Sequence, residues 1–179
     1  MPPISADSFG ILIAYIIPGF VCLWGMQPFL PAVRAWLAIQ PADTPTVGGF
    51  LFVTLASAAG GLLVSTVRWA LLDHLHQYTG IRVPHWDLRR LTANLSAFQA
   101  MVEWHYRYYE FHGNLLVAVT FLYVTQLVSR HRWPGEGGWK DILFLGVAIV
   151  LFFGSRDTLR KYYARTGELL ARQPTANDD

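Results

Sequence analysis

Apolar residues gather into four uninterrupted stretches, with polar segments between and after them. The stretches cover about Phe9 to Met26, Gly48 to Trp69, Leu115 to Ser129 and Ile142 to Gly154 (9-26, 48-69, 115-129, 142-154). No formal charge stands between Asp7 and Arg34, between Asp43 and Arg68, or between Glu110 and Arg130. Crossing the hydrocarbon core takes roughly 20 mostly apolar residues in a helix. The pattern therefore predicts an all-α integral membrane protein with four transmembrane helices. Pro18-Gly19 predicts a kink in the first, whose freed backbone groups neighbouring helices must satisfy. Residues 1–8 hold no Lys or Arg, and no small-x-small site follows Met26, so the first stretch is expected to be a retained helix rather than a signal peptide. The fourth, between Asp141 and Arg156, is short for a core of roughly 30 Å; snorkelling of Lys140 and Arg156 or local thinning would accommodate it.

The polar segments 70–112 and 156–179 carry patterns of their own. Thr79-Gly80 and Val83-Pro84 break the chain, and Asp87 is placed to cap a new helix. From there Leu88, Leu91, Leu95, Phe98, Val102, His105, Tyr109 and His112 recur at alternating three- and four-residue spacing, the period of a packed helical seam. This predicts a helix running into the third span, with Gly113-Asn114 as a break. In the tail, Asp157 stands at helical spacing from Arg160 and Lys161. A second stripe runs through Leu159, Tyr162 or Tyr163, Thr166 and Leu169 or Leu170, until Gln173-Pro174. The expectation is a single domain, 1–179, whose central segment and C-terminal helix form a small helical cytoplasmic lobe.

Composition excludes other classes. The chain is 53% hydrophobic and only 15% charged, and mean hydropathy is +0.31; soluble domains carry about a quarter charged residues. A soluble enzyme domain and a disordered tail are ruled out, and Cys22 alone makes no internal disulfide. Ten of the 14 Lys and Arg lie between spans two and three or after span four. Arg34, Arg130, Arg132 and Lys140 face the other side. By the positive-inside rule both termini and the lobe are cytoplasmic, in a multi-pass protein expected in a bacterial inner (plasma) membrane. Trp24, Trp69, Trp133 and Trp139 stand at the predicted helix ends, where amphipathic rings settle at the headgroup level. Topology already accounts for the pI of 8.8, so nucleic acid is not an expected partner.

Four constellations carry candidate chemistry. Ala56, Ser57, Gly60, Gly61 and Ser65 line one face of span two with small residues, which promote helix association in lipid, between copies or within one chain. The run from Glu103 to His112 is rich in aromatics. Glu103, Trp104, His105, Arg107 and Tyr109 are candidates for holding a partner or ligand, against the plainer reading of an aromatic belt with a Glu103–Arg107 pair. Asp73-His74-x-His76, with His85, suggests a metal, but histidines two apart on a helix diverge, so no metal site is expected. Arg107-x4-His112 matches the R-x4-6-H pattern and in those two residues resembles the HEPN ribonucleases. That resemblance implies in-line attack by a ribose hydroxyl, handled by an arginine and a histidine from paired helices. On one helix the two residues stand about 140° apart, which predicts Arg107 outward and His112 on the seam.

No phosphate-binding glycine loop, H-E-x-x-H, G-x-S-x-G or acidic metal cluster is present, no cofactor is expected, and no charge lies deep within a span as proton-coupled transport needs. The whole resembles small four-span bacterial inner-membrane proteins. The expected function is that of an oligomerising, non-enzymatic membrane protein acting as a pore, a membrane-perturbing effector or an anchor controlled through its lobe. Its expected partners are the lipid bilayer, further copies of itself and a cytoplasmic protein. The alternatives are a membrane-tethered HEPN-like ribonuclease using Arg107 and His112, and a structural subunit of a larger membrane complex.

Overall fold

A proline near the start and glycines at the crossings decide how these helices pack. The computed structural model of the chain describes residues 10, 12–37, 47–84 and 86–170. Phe9, His85 and the tail beyond Leu170, with Arg172 and Pro174, lie outside the described residues. Those described are 85% helical, with no strand among them. The helices are α1 (Leu12–Met26), α2 (Pro31–Leu37), α3 (Gly48–Tyr78), α4 (Thr92–Ser129) and α5 (Trp139–Leu170). Three of them, α3, α4 and α5, are long and apolar enough to cross a membrane; α1 is apolar but shorter.

Each long helix joins an expected span to a polar extension. The 32 residues of α5 cover about 48 Å at the helical rise, well beyond a core of roughly 30 Å. The expected break at Gly113-Asn114 does not occur: both residues are buried within α4, and the helix passes through them. Three turns widen to π-helix, at Leu12–Ile16, Trp69–Asp73 and Val102–Tyr106. The last corrects the predicted seam. A π-turn inserts one residue and rotates the helix downstream of it. The buried face past this turn therefore starts at Tyr109, Glu110, Gly113 and Asn114 instead of continuing through His112.

The interior is small and polar, while large apolar side chains point outward. Ser57, Gly61, Val64 and Arg68 form the buried stripe of α3. Phe50, Leu63, Ile142 and Val150 are each at least two-thirds exposed. Helix α1 packs between α3 and α4, and α5 lies along another side of α4. The α1–α3 crossing is backbone on backbone: a Cβ on Gly19 would fall on the Ser57 carbonyl, and one on Gly61 on the Tyr15 carbonyl. Beyond the apolar halves, α4, α5 and the 81–91 segment form a lobe. Leu159, Tyr162, Thr166 and Leu170 are its buried stripe on α5. Trp86 stands edge-on to Tyr162 and Tyr163, and the Asp87 N–H donates to the Leu170 carbonyl at 3.4 Å. The Asp87 carboxylate caps the short Leu88–Arg90 turn by accepting from the Arg89 N–H at 3.1 Å.

Candidate functional site

The site begins with a missing hydrogen. Pro18 has no N–H to give the carbonyl four residues back, that of Ala14. Asn114 Nδ2 donates to the Ala14 oxygen instead, at 2.8 Å. Its Oδ1 accepts from Arg68 Nε at 3.0 Å. The two bonds need opposite ends of the amide and so fix its orientation. Asn114 is wholly buried and Arg68 is 4% exposed. A Cβ on Gly113 would stand 2.7 Å from Arg68 Cδ, so glycine makes the room for the arginine stem.

Arg68 Nη1 pairs with Asp73 at 2.9 Å. Five positions on a regular α-helix are about 140° apart; the π-turn Trp69–Asp73 brings these two together. The Tyr109 hydroxyl donates to the same carboxylate, and the Arg68 guanidinium lies 4.8 Å from the Tyr109 ring centre. Burial, with Asp73 holding its proton, pushes the Tyr109 hydroxyl far above its ordinary range, so it stays a donor. Alongside, the Tyr15 hydroxyl donates to Glu110 Oε1 at 2.9 Å and Arg107 Nη1 to Glu110 Oε2 at 2.9 Å. Glu103 stands 3.7 Å from Arg107 Nε. All three π-turns carry or flank a member of this cluster.

A third contact ties α3 to α5. His76 Nε2 and Ser155 Oγ are 2.8 Å apart and wholly buried. Ser155 donates its proton to the Phe152 carbonyl at 3.1 Å, so His76 Nε2 carries the hydrogen and Ser155 accepts it. A serine nucleophile needs the reverse polarity and an open face. Burial, then the neighbouring Arg156, lowers the His76 pKa and keeps the ring neutral. Arg156 closes the end of α3, donating to the Thr79 carbonyl at 2.7 Å and to its hydroxyl.

The sequence candidates are redistributed. Arg107 does not face outward: it is half-buried beside Gly10 and bonded to Glu110 on the α1 side. His112 faces α5, its ring 2.8 Å from where a Gly154 Cβ would be, and its Nδ1 bonds to the Tyr108 carbonyl at 2.6 Å. The two point to different neighbours, and this chain does not join them in one site. The aromatic run is split as well: Trp104 is 69% exposed and Tyr109 only 1%, with Glu103 and His105 between. Tyr109 is core and not open to a ligand. On the small-residue face, Ser57, Gly60 and Gly61 meet α1 and Ser65 bonds to Tyr15, with Ala56 half-buried above them. His74 turns to the Trp69 carbonyl, away from His76. Among the described residues no group of His, Cys, Asp and Glu is placed to hold a metal ion.

Sequence reasoning missed Arg68, Glu110, Asn114, Tyr15 and Ser155, and grouped Asp73 with His74 and His76 instead of with Arg68. The available signals were an Asn inside an apolar run and the three- and four-residue spacing of Tyr106, Tyr109 or Glu110, and Gly113. Comparison with protein-family models, curated proteins and solved structures returns no match for this chain.

Proposed function

We propose that the protein is a non-enzymatic, four-span inner-membrane anchor whose cytoplasmic lobe is mechanically coupled to its membrane helices through the Arg68 cluster. In this reading α1 is the fourth span, both termini face the cytoplasm, and a cytoplasmic protein engages the lobe. The observation that carries it is one unbroken side-chain path from lobe to membrane. Tyr162 packs on Tyr106 at 5.1 Å between ring centres, and Tyr106 on Tyr109 at 5.8 Å. Tyr109 then bonds to Asp73, Asp73 to Arg68, Arg68 to Asn114, and Asn114 to Ala14 of α1. The anchor reading stands ahead of the pore: within one chain Thr54, Thr120 and Thr125 bond back to their own helix carbonyls. It also stands ahead of association through span two, whose small-residue face holds α1.

Hydrogen exchange in detergent tests the coupling. Tyr162→Ala in the lobe is expected to lower amide protection in α1, and Asn114→Leu to abolish that effect. Unchanged α1 protection in Tyr162→Ala refutes the path. Orientation is read with Cys22→Ser and single cysteines at Arg34, Tyr78, Gly135 and Arg165. An impermeant maleimide is expected to reach 34 and 135 in intact cells, and 78 and 165 only after permeabilisation.

A further inference from the structure

At the end of the bundle remote from Arg68, α4 and α5 diverge around a cleft of about 410 Å³. Its deep walls are Val119, Leu122, Leu143 and Val147, with Tyr123 and Phe144 stacked at 3.9 Å beside them. From Val119 to Arg130 the chain climbs about 16 Å, and there the lining turns charged and net positive: Arg130, Arg132 and Lys140 face the cleft together with one carboxylate, Asp141. The nearby carboxylates are held by backbone amides. Asp141 accepts from the N–H groups of Gly135 and Gly137, both at 2.8 Å, and Glu136 from that of Trp133 at 3.0 Å. Arg132 also donates to the Glu136 carbonyl, which fixes its stem in the loop and leaves a fork of further donors on the guanidinium. Trp133 and Trp139 stand exposed beside the mouth, the position of rings at a headgroup level.

We propose that this cleft binds an anionic phospholipid, its phosphate at Arg130, Arg132 and Lys140 and one acyl chain between α4 and α5. The inference rests on the membrane reading above. Three cations over an oily slot complement a molecule with a negative head and an apolar tail; a zwitterionic lipid offers the same tail with no net charge. The experiment titrates the full chain, in neutral detergent, with phosphatidylglycerol or with phosphatidylcholine of the same acyl chains. Native mass spectrometry and thermal unfolding give the readout. Phosphatidylglycerol is expected to bind at least about tenfold more tightly. R130Q/R132Q/K140Q is expected to bring the two lipids within about twofold. Val147→Trp fills the slot with the cations intact, and is expected to weaken phosphatidylglycerol binding while circular dichroism stays unchanged. Equal affinity for the two lipids, or a triple variant that keeps the preference, overturns the proposal. Inorganic phosphate stabilising as strongly as phosphatidylglycerol overturns it too, by showing that the tail is not recognised. A chain that stays dissolved without detergent overturns the membrane reading instead, so the two failures are distinguishable.

Discussion

Truncating Asn114 to alanine removes one amide and orphans two buried partners, the Arg68 Nε donor and the Ala14 carbonyl. A buried polar group left unsatisfied costs about 1–3 kcal/mol, and more when charged. The expected loss is therefore about 3–5 kcal/mol. The second orphan exists only because residue 18 is proline. In a Pro18→Ala background the new N–H can bond to the Ala14 oxygen, so Asn114→Ala then orphans Arg68 alone. The penalty should shrink by about 1–2 kcal/mol. Four proteins complete the cycle: wild type, each single variant, and the pair. Unfolding each in mixed micelles by titration with a denaturing detergent, followed by tryptophan fluorescence, gives the coupling directly. Whatever Pro18→Ala does by itself cancels. Penalties equal to within about 0.5 kcal/mol in the two backgrounds would refute the claim that Asn114 replaces the missing proline N–H.

Gly61→Ala places a methyl on the Tyr15 carbonyl and should destabilise by about 1–3 kcal/mol with faster proteolysis of α1, whereas Gly167→Ala, with nothing within 4 Å of its new Cβ, should raise the melting temperature by the worth of about 1 kcal/mol. His76 is held neutral below its ordinary pKa, so the unfolded chain binds its proton first. Stability is full above about pH 6.5 and falls as pH drops, an acid limb that His76→Gln flattens in pH-dependent melting curves. Burial, then Tyr106, pushes the Tyr162 hydroxyl up to about 12; its contribution to stability is full below about pH 10 and is lost as pH rises through the folded value, an alkaline limb that Tyr162→Phe makes shallower. Replacing Arg68, Asp73, Tyr109 and Asn114 by Met, Leu, Phe and Leu together with Pro18→Ala should cost less than Asn114→Ala alone. Disulfide trapping between cysteines at Gly25 and at 118, 122 or 126 should then spread from 122, the wild-type neighbour, to all three.

Helix content and the two-part build were legible because both rest on hydropathy and periodicity. The buried stripe Leu159, Tyr162, Thr166 and Leu170 follows a regular helical period, and the small residues of α3 lie where a close crossing needs them. The cluster was hidden for a specific reason. Arg68 and Asp73 are five apart, a spacing that a regular helix puts on different faces, and only the π-turn between them makes them partners. The same event at Val102–Tyr106 displaced the predicted seam and moved Arg107 from the outer face to the α1 side. A π-turn leaves no residue signature of its own. Pro18 marks a source of freed backbone groups in the sequence, but the donor to the freed Ala14 carbonyl, Asn114, lies 100 residues away along the chain.

Burying Arg68 with Asp73 is a poor way to gain stability, since apolar groups of the same volume commonly do as well or better. What the pair supplies is position. Helices in lipid lack the hydrophobic drive that sets contacts in water, and one leucine surface slides along another at little cost. In the four-span reading helix α1 is the element most exposed to that freedom, being apolar but shorter than the three long helices. Its glycine crossing with α3 lets the backbones approach but does not by itself choose a register. The Asn114 bond does, because one hydrogen bond to one carbonyl tolerates only a few tenths of an ångström. Asn114 is held by Arg68, and Arg68 by a carboxylate that also accepts a hydrogen bond from the hydroxyl of Tyr109, in the lobe's core. In the proposed coupling, the depth of α1 and the packing of the lobe thus share one set of bonds.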